Sequence, residues 1–312
     1  MHRISPSKMV AWLTVALIGP VLSVIGKSGW GGALLAVGLC SVIALCRFQF
    51  DNEKLPRWLC VLEFVWLAVF LAGAAPQSGY CWSDASANMI IPIVLIALAA
   101  VSSQKGSVPS ARVGATLLWL VFPVLGIVAV AGATDVDLSL VRRELTTPDG
   151  MLLGLLLIPC MGLLMPQNKP KKAFWAIPVI GAVAVIMAIL LDSVMGFSVA
   201  QEAGDTFYEF SKGVNLFGVA ERFEALVACV LTAEWFVLFS LILSTSHHLW
   251  ERISTKGIAW SVWLCSAMSV LLMCNLHIPG QLLGVGCLIF WGFLPLLTQG
   301  LGVAKKVIKK QK

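Results

Sequence analysis

Met9-Val10-Ala11-Trp12-Leu13-Thr14-Val15-Ala16-Leu17-Ile18-Gly19-Pro20-Val21-Leu22-Ser23-Val24-Ile25-Gly26 contains no charged side chain. At 1.5 Å rise per residue such a run is long enough to cross most of the ~30 Å of bilayer hydrocarbon. It also lacks a small-x-small cleavage site and is followed at once by further apolar runs, so it reads as a retained helix rather than a signal peptide. Nine more runs follow, giving ten at 9–26, 29–46, 58–76, 86–103, 113–132, 151–166, 173–195, 219–246, 258–276 and 279–299. Over 312 residues, 59% are hydrophobic and 12% charged, with a mean hydropathy of +0.90. A soluble domain carries about 25% charged residues, so the composition excludes an ordinary soluble enzyme and a disordered chain. The expected lodging is a lipid membrane.

The charges carry orientation. With the N-terminus in the cytoplasm, the inner segments hold seventeen Lys and Arg: 3, 8, 47, 54, 57, 105, 112, 169, 171, 172, 252, 256, 305, 306, 309, 310 and 312. The outer segments hold five, Lys27, Arg142, Arg143, Lys212 and Arg222. That asymmetry is the positive-inside pattern for an even number of spans and places both termini in the cytoplasm. The net charge of +6 is spread over short loops rather than gathered in one patch, so it signals topology and not nucleic acid.

Two outer connections are longer than turns. Residues 133–150 place Val136, Leu140 and Val141 among charged residues, a pattern for a short amphipathic linker helix ended by Pro148-Asp149-Gly150, with a solvated interfacial loop as the alternative. Residues 196–218 carry Glu202, Asp205 and Glu209 with Phe207, Tyr208 and Phe210, and read either as a lid or as a solvated loop.

Ten spans divide into five and five, 1–132 and 151–312 about the 133–150 linker, and an odd number per half inverts the second half. In transporters of that kind the site forms where corresponding helices break. Gly19-Pro20 interrupts span one, and Pro159 falls in its short counterpart, span six, in Leu157-Ile158-Pro159-Cys160-Met161-Gly162. Proline removes a helical N–H and leaves carbonyls free for a cation or amine, while a half-helix N-terminus suits a carboxylate. Gly19, Pro20, Val21, Leu22, Pro159 and Cys160 are therefore the expected ligand-binding positions, a structural kink being the alternative at each proline.

Carboxylates at membrane depth are costly and face a cavity or a partner. Glu234 stands near the middle of span eight, and Glu63 less than two turns from Arg57 in span three. Both are candidate proton or ion-coupling sites, Glu234 also a partner for a bound ammonium; for each the alternative is a structural hydrogen bond, or for Glu63 a reach to Arg57. No metal site, cofactor motif or hydrolytic triad is read. Gly26-Lys27-Ser28 lacks the upstream glycine of a phosphate-binding loop, and His247, His248 and His277 have no ligands at metal spacing. The nine cysteines show no paired spacing and read as small buried hydrophobes.

The segment Gly218-Val219-Ala220-Glu221-Arg222-Phe223-Glu224-Ala225-Leu226, continuing through Trp235 to Ser244-Thr245-Ser246, resembles the spore germination permease family, as do Ile4-Ser5-Pro6-Ser7-Lys8 and the Gly19-containing first helix. These are the B subunits of GerA-type nutrient germinant receptors, within the amino acid/polyamine/organocation transporter superfamily. The chain is shorter than typical members, nearly lacks the loop between spans one and two, and has no acidic residue near the start of span six. The resemblance implies an all-α fold of ten transmembrane helices as a LeuT-like 5+5 inverted repeat with helices 1 and 6 broken. It also implies a receptor subunit rather than an enzyme, binding a small nutrient such as an amino acid and signalling to A and C subunits in the spore inner membrane. A proton-coupled amino acid transporter of the same superfamily is the alternative. Glu221, Arg222 and Glu224 would then anchor a helix mouth or touch partners, or simply place acids at a helix N-terminus.

Overall fold

The computed structural model describes residues 5–49, 55–82, 87–141, 146–164, 175–213, 223–254 and 256–301. Every regular element among them is helical: α1 Pro6–Phe48, α2 Arg57–Ala74, α3 Ala87–Ser103, α4 Ser107–Gly132, α5 Gly150–Leu157, α6 Ala176–Met195, α7 Phe197–Glu202, α8 Thr206–Gly213, α9 Phe223–Ile253, α10 Ile258–Asn275 and α11 Gly280–Cys287. Among the described residues, six stretches are long and apolar enough to cross a membrane: Ser7–Phe48, Arg57–Gly79, Ser107–Asp135, Ala176–Met195, Phe223–Ile253 and Gly280–Leu301. Met89–Ser103, Gly150–Met161 and Trp260–Asn275 are apolar but shorter. Large apolar side chains also cover the exterior, with Trp119, Val130, Trp260 and Ile186 at 65–83% exposure. An apolar core inside an apolar surface is the pattern of an integral membrane protein, since water would penalise that exterior.

Helix α1 is the hub and packs on α4, α5, α6 and α9. Pro6 opens it and Ser5 caps it, its Oγ accepting from the Lys8 N–H at 3.4 Å. The expected break at Gly19-Pro20 is absent: α1 stays helical there, and its one non-helical residue is Gly29, at φ 61° and ψ 179°. A proline φ near −65° suits a helix, so Pro20 costs a hydrogen bond without turning the chain. A positive φ does turn it, and glycine adopts one at low cost. Gly29 thus separates the first two apolar runs, which the sequence gives almost no loop.

In the sixth run an interruption is present. Helix α5 ends at Leu157 and Ile158–Leu164 winds as a tighter 3₁₀ segment, which packs on both α1 and α9. The last helix widens into a π-helical stretch at Leu288–Phe293. Among the described residues the two outer connections form short helical pieces. In the described part of the 133–150 linker the expected amphipathic α-helix is replaced by two 3₁₀ turns, Ala133–Asp135 and Leu138–Leu140, which expose Val136, Leu138 and Leu140 as in the loop alternative. Its anchors are backbone and cap bonds instead, Asp137 N–H to the Ser193 carbonyl at 2.9 Å and Asp149 capping α5 through the Met151 N–H at 3.1 Å. The 196–213 portion of the acidic segment folds as α7 and α8 against α1, with Phe207 and Phe210 buried.

Pairings across the bundle define two ends. At one, His248 meets Ser107 and Glu251, and Phe64 packs on Trp250, close to Arg57, Lys105, Arg252 and Lys256. At the other, Gly132 abuts Phe210, Gly26 abuts Thr206 and Gly204 abuts Tyr80, amid Asp135, Glu202 and Glu209. The described charges are therefore mainly basic at the first end and mainly acidic at the second, with Glu251 at the basic end and Lys27 and Lys212 at the acidic one.

Candidate functional site

Glu234 is fully buried in α9, and neither carboxylate oxygen has a hydrogen-bond partner among the described residues. Its side chain presses on α1 at Gly19, where an added Cβ would overlap the carboxylate. The next residue, Pro20, lacks an N–H, which releases the Ala16 carbonyl from its intrahelical bond. Gly19, Pro20 and Glu234 thus form one cluster, with Val21 and Leu22 buried immediately beyond.

A second carboxylate acts on Glu234: Asp205, at the start of α8. Asp205 accepts from Ser23 Oγ at 2.5 Å, from Cys81 Sγ at 3.6 Å and, through its other oxygen, from the Tyr208 N–H at 2.9 Å. Burial pushes the Asp205 carboxyl above its ordinary value, and the Ser23, Tyr208 and Cys81 hydrogen bonds only partly oppose this. Beside it the Cys81 thiol is driven well up by burial and by the Asp205 charge. Two carboxylates close together in a dry interior repel, and a bound cation relieves both.

A cleft of about 500 Å³ opens at the acidic end, lined in part by Lys27, Gln77, Tyr80, Met151, Asn275 and His277. That is within the size range of small-ligand pockets. Tyr80 belongs to its wall and lies against Gly204, and the adjoining Cys81 reaches Asp205. Polar groups therefore lead from the cleft toward Glu234. Trp82 adds a hydrogen bond to Thr232 at 3.2 Å, joining the same wall to α9 two residues before Glu234.

The remaining expected residues separate from this cluster. Cys160, in the 3₁₀ segment, is buried in the fields of Arg47 and Glu63, and Glu63 is buried in the field of Arg47 and against Trp291. Pro159 is buried beside Cys160. The expected reach of Glu63 to Arg57 is not made: Arg57 is exposed, and the basic group acting on Glu63 is Arg47. Glu224 is exposed in the first turn of α9 and acts on Tyr208 and Lys212 of α8, while Glu221 and Arg222 lie outside the described residues. Among the described residues no three His, Cys, Asp or Glu converge as metal ligands. His248 is held instead by Glu251 at 3.0 Å and Ser107 at 3.4 Å.

Sequence reading missed two residues. Asp205 looked like one acid of a surface segment, and only the fold of α7 and α8 buries it against Ser23. Arg47 looked like a topology charge, although its place directly at the end of the second apolar run, before the apolar Phe48, was a usable signal. Neither the models of protein families nor the curated proteins contain a match to the chain.

Proposed function

We propose that this chain is the membrane subunit of a nutrient receptor of the spore-germinant type, built on ten helices in two inverted halves with the basic end cytoplasmic. The observation that carries the reading is Glu234, a buried carboxylate without a hydrogen-bond partner among the described residues, set on Gly19 and within the field of Asp205. A protonated amine answers that arrangement, because its N–H groups fill the empty oxygen positions and its charge offsets the repulsion. An amino acid entering by the cleft is the substrate class, and the freed Ala16 carbonyl supplies a further acceptor for its ammonium. The resemblance around Glu224 and Ser244-Thr245-Ser246 supplies the receptor context, with A and C subunits as the partners that receive the signal.

The test is equilibrium binding of labelled amino acids to the full chain in lipid nanodiscs, beside analogues lacking the amine. The expected result is saturable, amine-dependent binding that weakens about 10- to 100-fold in Glu234→Gln, the range for losing a charge-assisted hydrogen bond. In spores that also make the A and C subunits, Glu234→Gln raises the nutrient concentration needed for germination at unchanged protein abundance. Proton-driven uptake into liposomes would assign the same site to a transporter instead. Equal binding by Glu234→Gln and the unaltered chain would sink the site.

A further inference from the structure

A second buried polar cluster lies in the half of the molecule nearer the basic end, where α2 carries Glu63 beside Phe64. Arg47, at the end of α1, is fully buried and donates Nη1 to the Trp291 carbonyl. That carbonyl belongs to the π-helical stretch of the last helix, where widened turns displace backbone groups from the regular ladder. Arg47 Nε and Nη2, Trp291 Nε1 and both Glu63 oxygens are buried and make no well-formed hydrogen bond among the described residues, although Trp291 faces Glu63 and Arg47 faces Cys160. Arg47 and Glu63 feel each other's charge, yet no hydrogen bond joins them.

Buried donors and acceptors left open side by side call for an occupant. We infer that Arg47, Trp291 and Glu63 form a second site, which takes up one small monovalent anion together with one proton. The anion accepts from Arg47 Nε–H and Nη2–H and, once protonation of Glu63 releases it, from Trp291 Nε1–H. The proton is drawn with the anion from the bulk solution and forms an O–H bond on the Glu63 carboxylate. Charge balance couples the two events. Before uptake, Arg47 at +1 and Glu63 at −1 sum to zero; afterwards Arg47 at +1, the anion at −1 and neutral Glu63 again sum to zero. Either event alone leaves a net charge in a dry interior, which such a site disfavours strongly.

The groups around Glu63 agree with this arithmetic. Arg47 faces it from α1, Trp291 from the π-helical stretch, Cys160 from the 3₁₀ segment, Cys287 from α11 and Cys60 from its own helix, with Arg252 of α9 acting on Cys60. Helix α10 carries no acid, lysine, arginine or histidine. Arg47 is thus the one permanent charge acting directly on Glu63 among these neighbours. Chloride and a short carboxylate such as acetate share the needed chemistry, a single negative charge accepting two or three N–H bonds.

The experiment measures binding of chloride and, separately, acetate to the full chain in nanodiscs between pH 5 and 8, with gluconate as the replacing anion. With one proton taken up per anion, apparent affinity falls about tenfold for each pH unit once Glu63 is ionised. Glu63→Gln retains anion binding and removes the pH slope, which also shows that this variant is folded. Arg47→Gln loses anion binding, and Arg47→Lys keeps the charge but weakens it by losing the forked donors. Binding of chloride alone or acetate alone identifies the anion. No anion binding at any pH, a flat profile in the unaltered chain, a slope surviving in Glu63→Gln, or undiminished binding in Arg47→Gln would each overturn the inference. Amine binding scored in the same samples keeps this result separate from the fate of the Glu234 site.

Discussion

At the scale of single residues, the site depends on a methyl group that is missing. Gly19 has no Cβ, and the Glu234 carboxylate occupies that space against α1. Gly19→Ala should therefore overpack the contact and lower stability by about 1–3 kcal/mol, measured by thermal melting in detergent or nanodiscs. Joining it to Glu234→Ala should recover much of that loss, because the colliding group is then gone; purely additive losses would place the strain elsewhere. Asp205 supplies a pH prediction. Its folded carboxyl titrates above the ordinary value of 3.8, so the folded state holds the proton more tightly than the unfolded one. The stability it contributes is present below pH 3.8 and is lost as pH rises through the raised folded value. Asp205→Asn should flatten the melting profile across that interval, and an unchanged profile would show that another group sets it. Glu234 was legible in the sequence because a lone acid in an apolar run stands out. Asp205 was not, since nothing in Gly204-Asp205-Thr206 foretells that α8 docks on Ser23.

At the scale of elements, apolar runs announce helices because lipid and protein interior make the same demand on side chains, so the positions of α2, α4, α6 and α9 follow from the chain directly. Backbone irregularities are harder to read. Gly19-Pro20 looks like a break, yet its proline is accommodated within a continuous helix, while the turn falls at Gly29, one of several glycines in the same stretch. What distinguishes Gly29 is tertiary: Phe197 and Thr146 lie 3.2 and 3.4 Å from where its Cβ would stand, so a side chain there meets both strain and crowding. Gly29→Ala should cost about 1–3 kcal/mol in thermal melting, whereas Gly38→Ala, helical and with open space around it, should change stability little or raise it. Equal effects at the two positions would remove the argument for a turn at Gly29. The acidic segment gives a complementary case. Its aromatic residues are readable as anchors, and Phe210 buries its ring against Gly132. Phe210→Ala should destabilise by about 3–5 kcal/mol if α8 is part of the packed core, and by far less if the segment is a loosely held lid.

At the scale of the whole molecule, orientation sets the direction in which any ligand travels. The cleft, Asp205 and α8 share the acidic end, while Arg252, Lys256 and the start of α2 share the basic end. If lysine and arginine retention holds the basic end in the cytoplasm, the cleft faces outward and Glu234 is approached from outside. Fusions at two points distinguish this from its inverse. Alkaline phosphatase joined after Gly213 should be active, because that enzyme needs the oxidising exterior for its disulfides, and a fluorescent protein joined after Ser254 should fold and emit. The helix between those points, α9, has 31 residues, long enough to cross once at 1.5 Å each. One crossing requires the two reporters to fall on opposite sides. An active phosphatase after Gly213, with a fluorescent protein after Ser254 dark and a phosphatase fused at that same point active, would put both points outside and mean that α9 does not span, which would remove Glu234 from membrane depth and with it the reason for expecting a bound amine there. The reversed pattern would keep the crossing but turn the cleft to the cytoplasm, and a ligand arriving from outside could no longer use it.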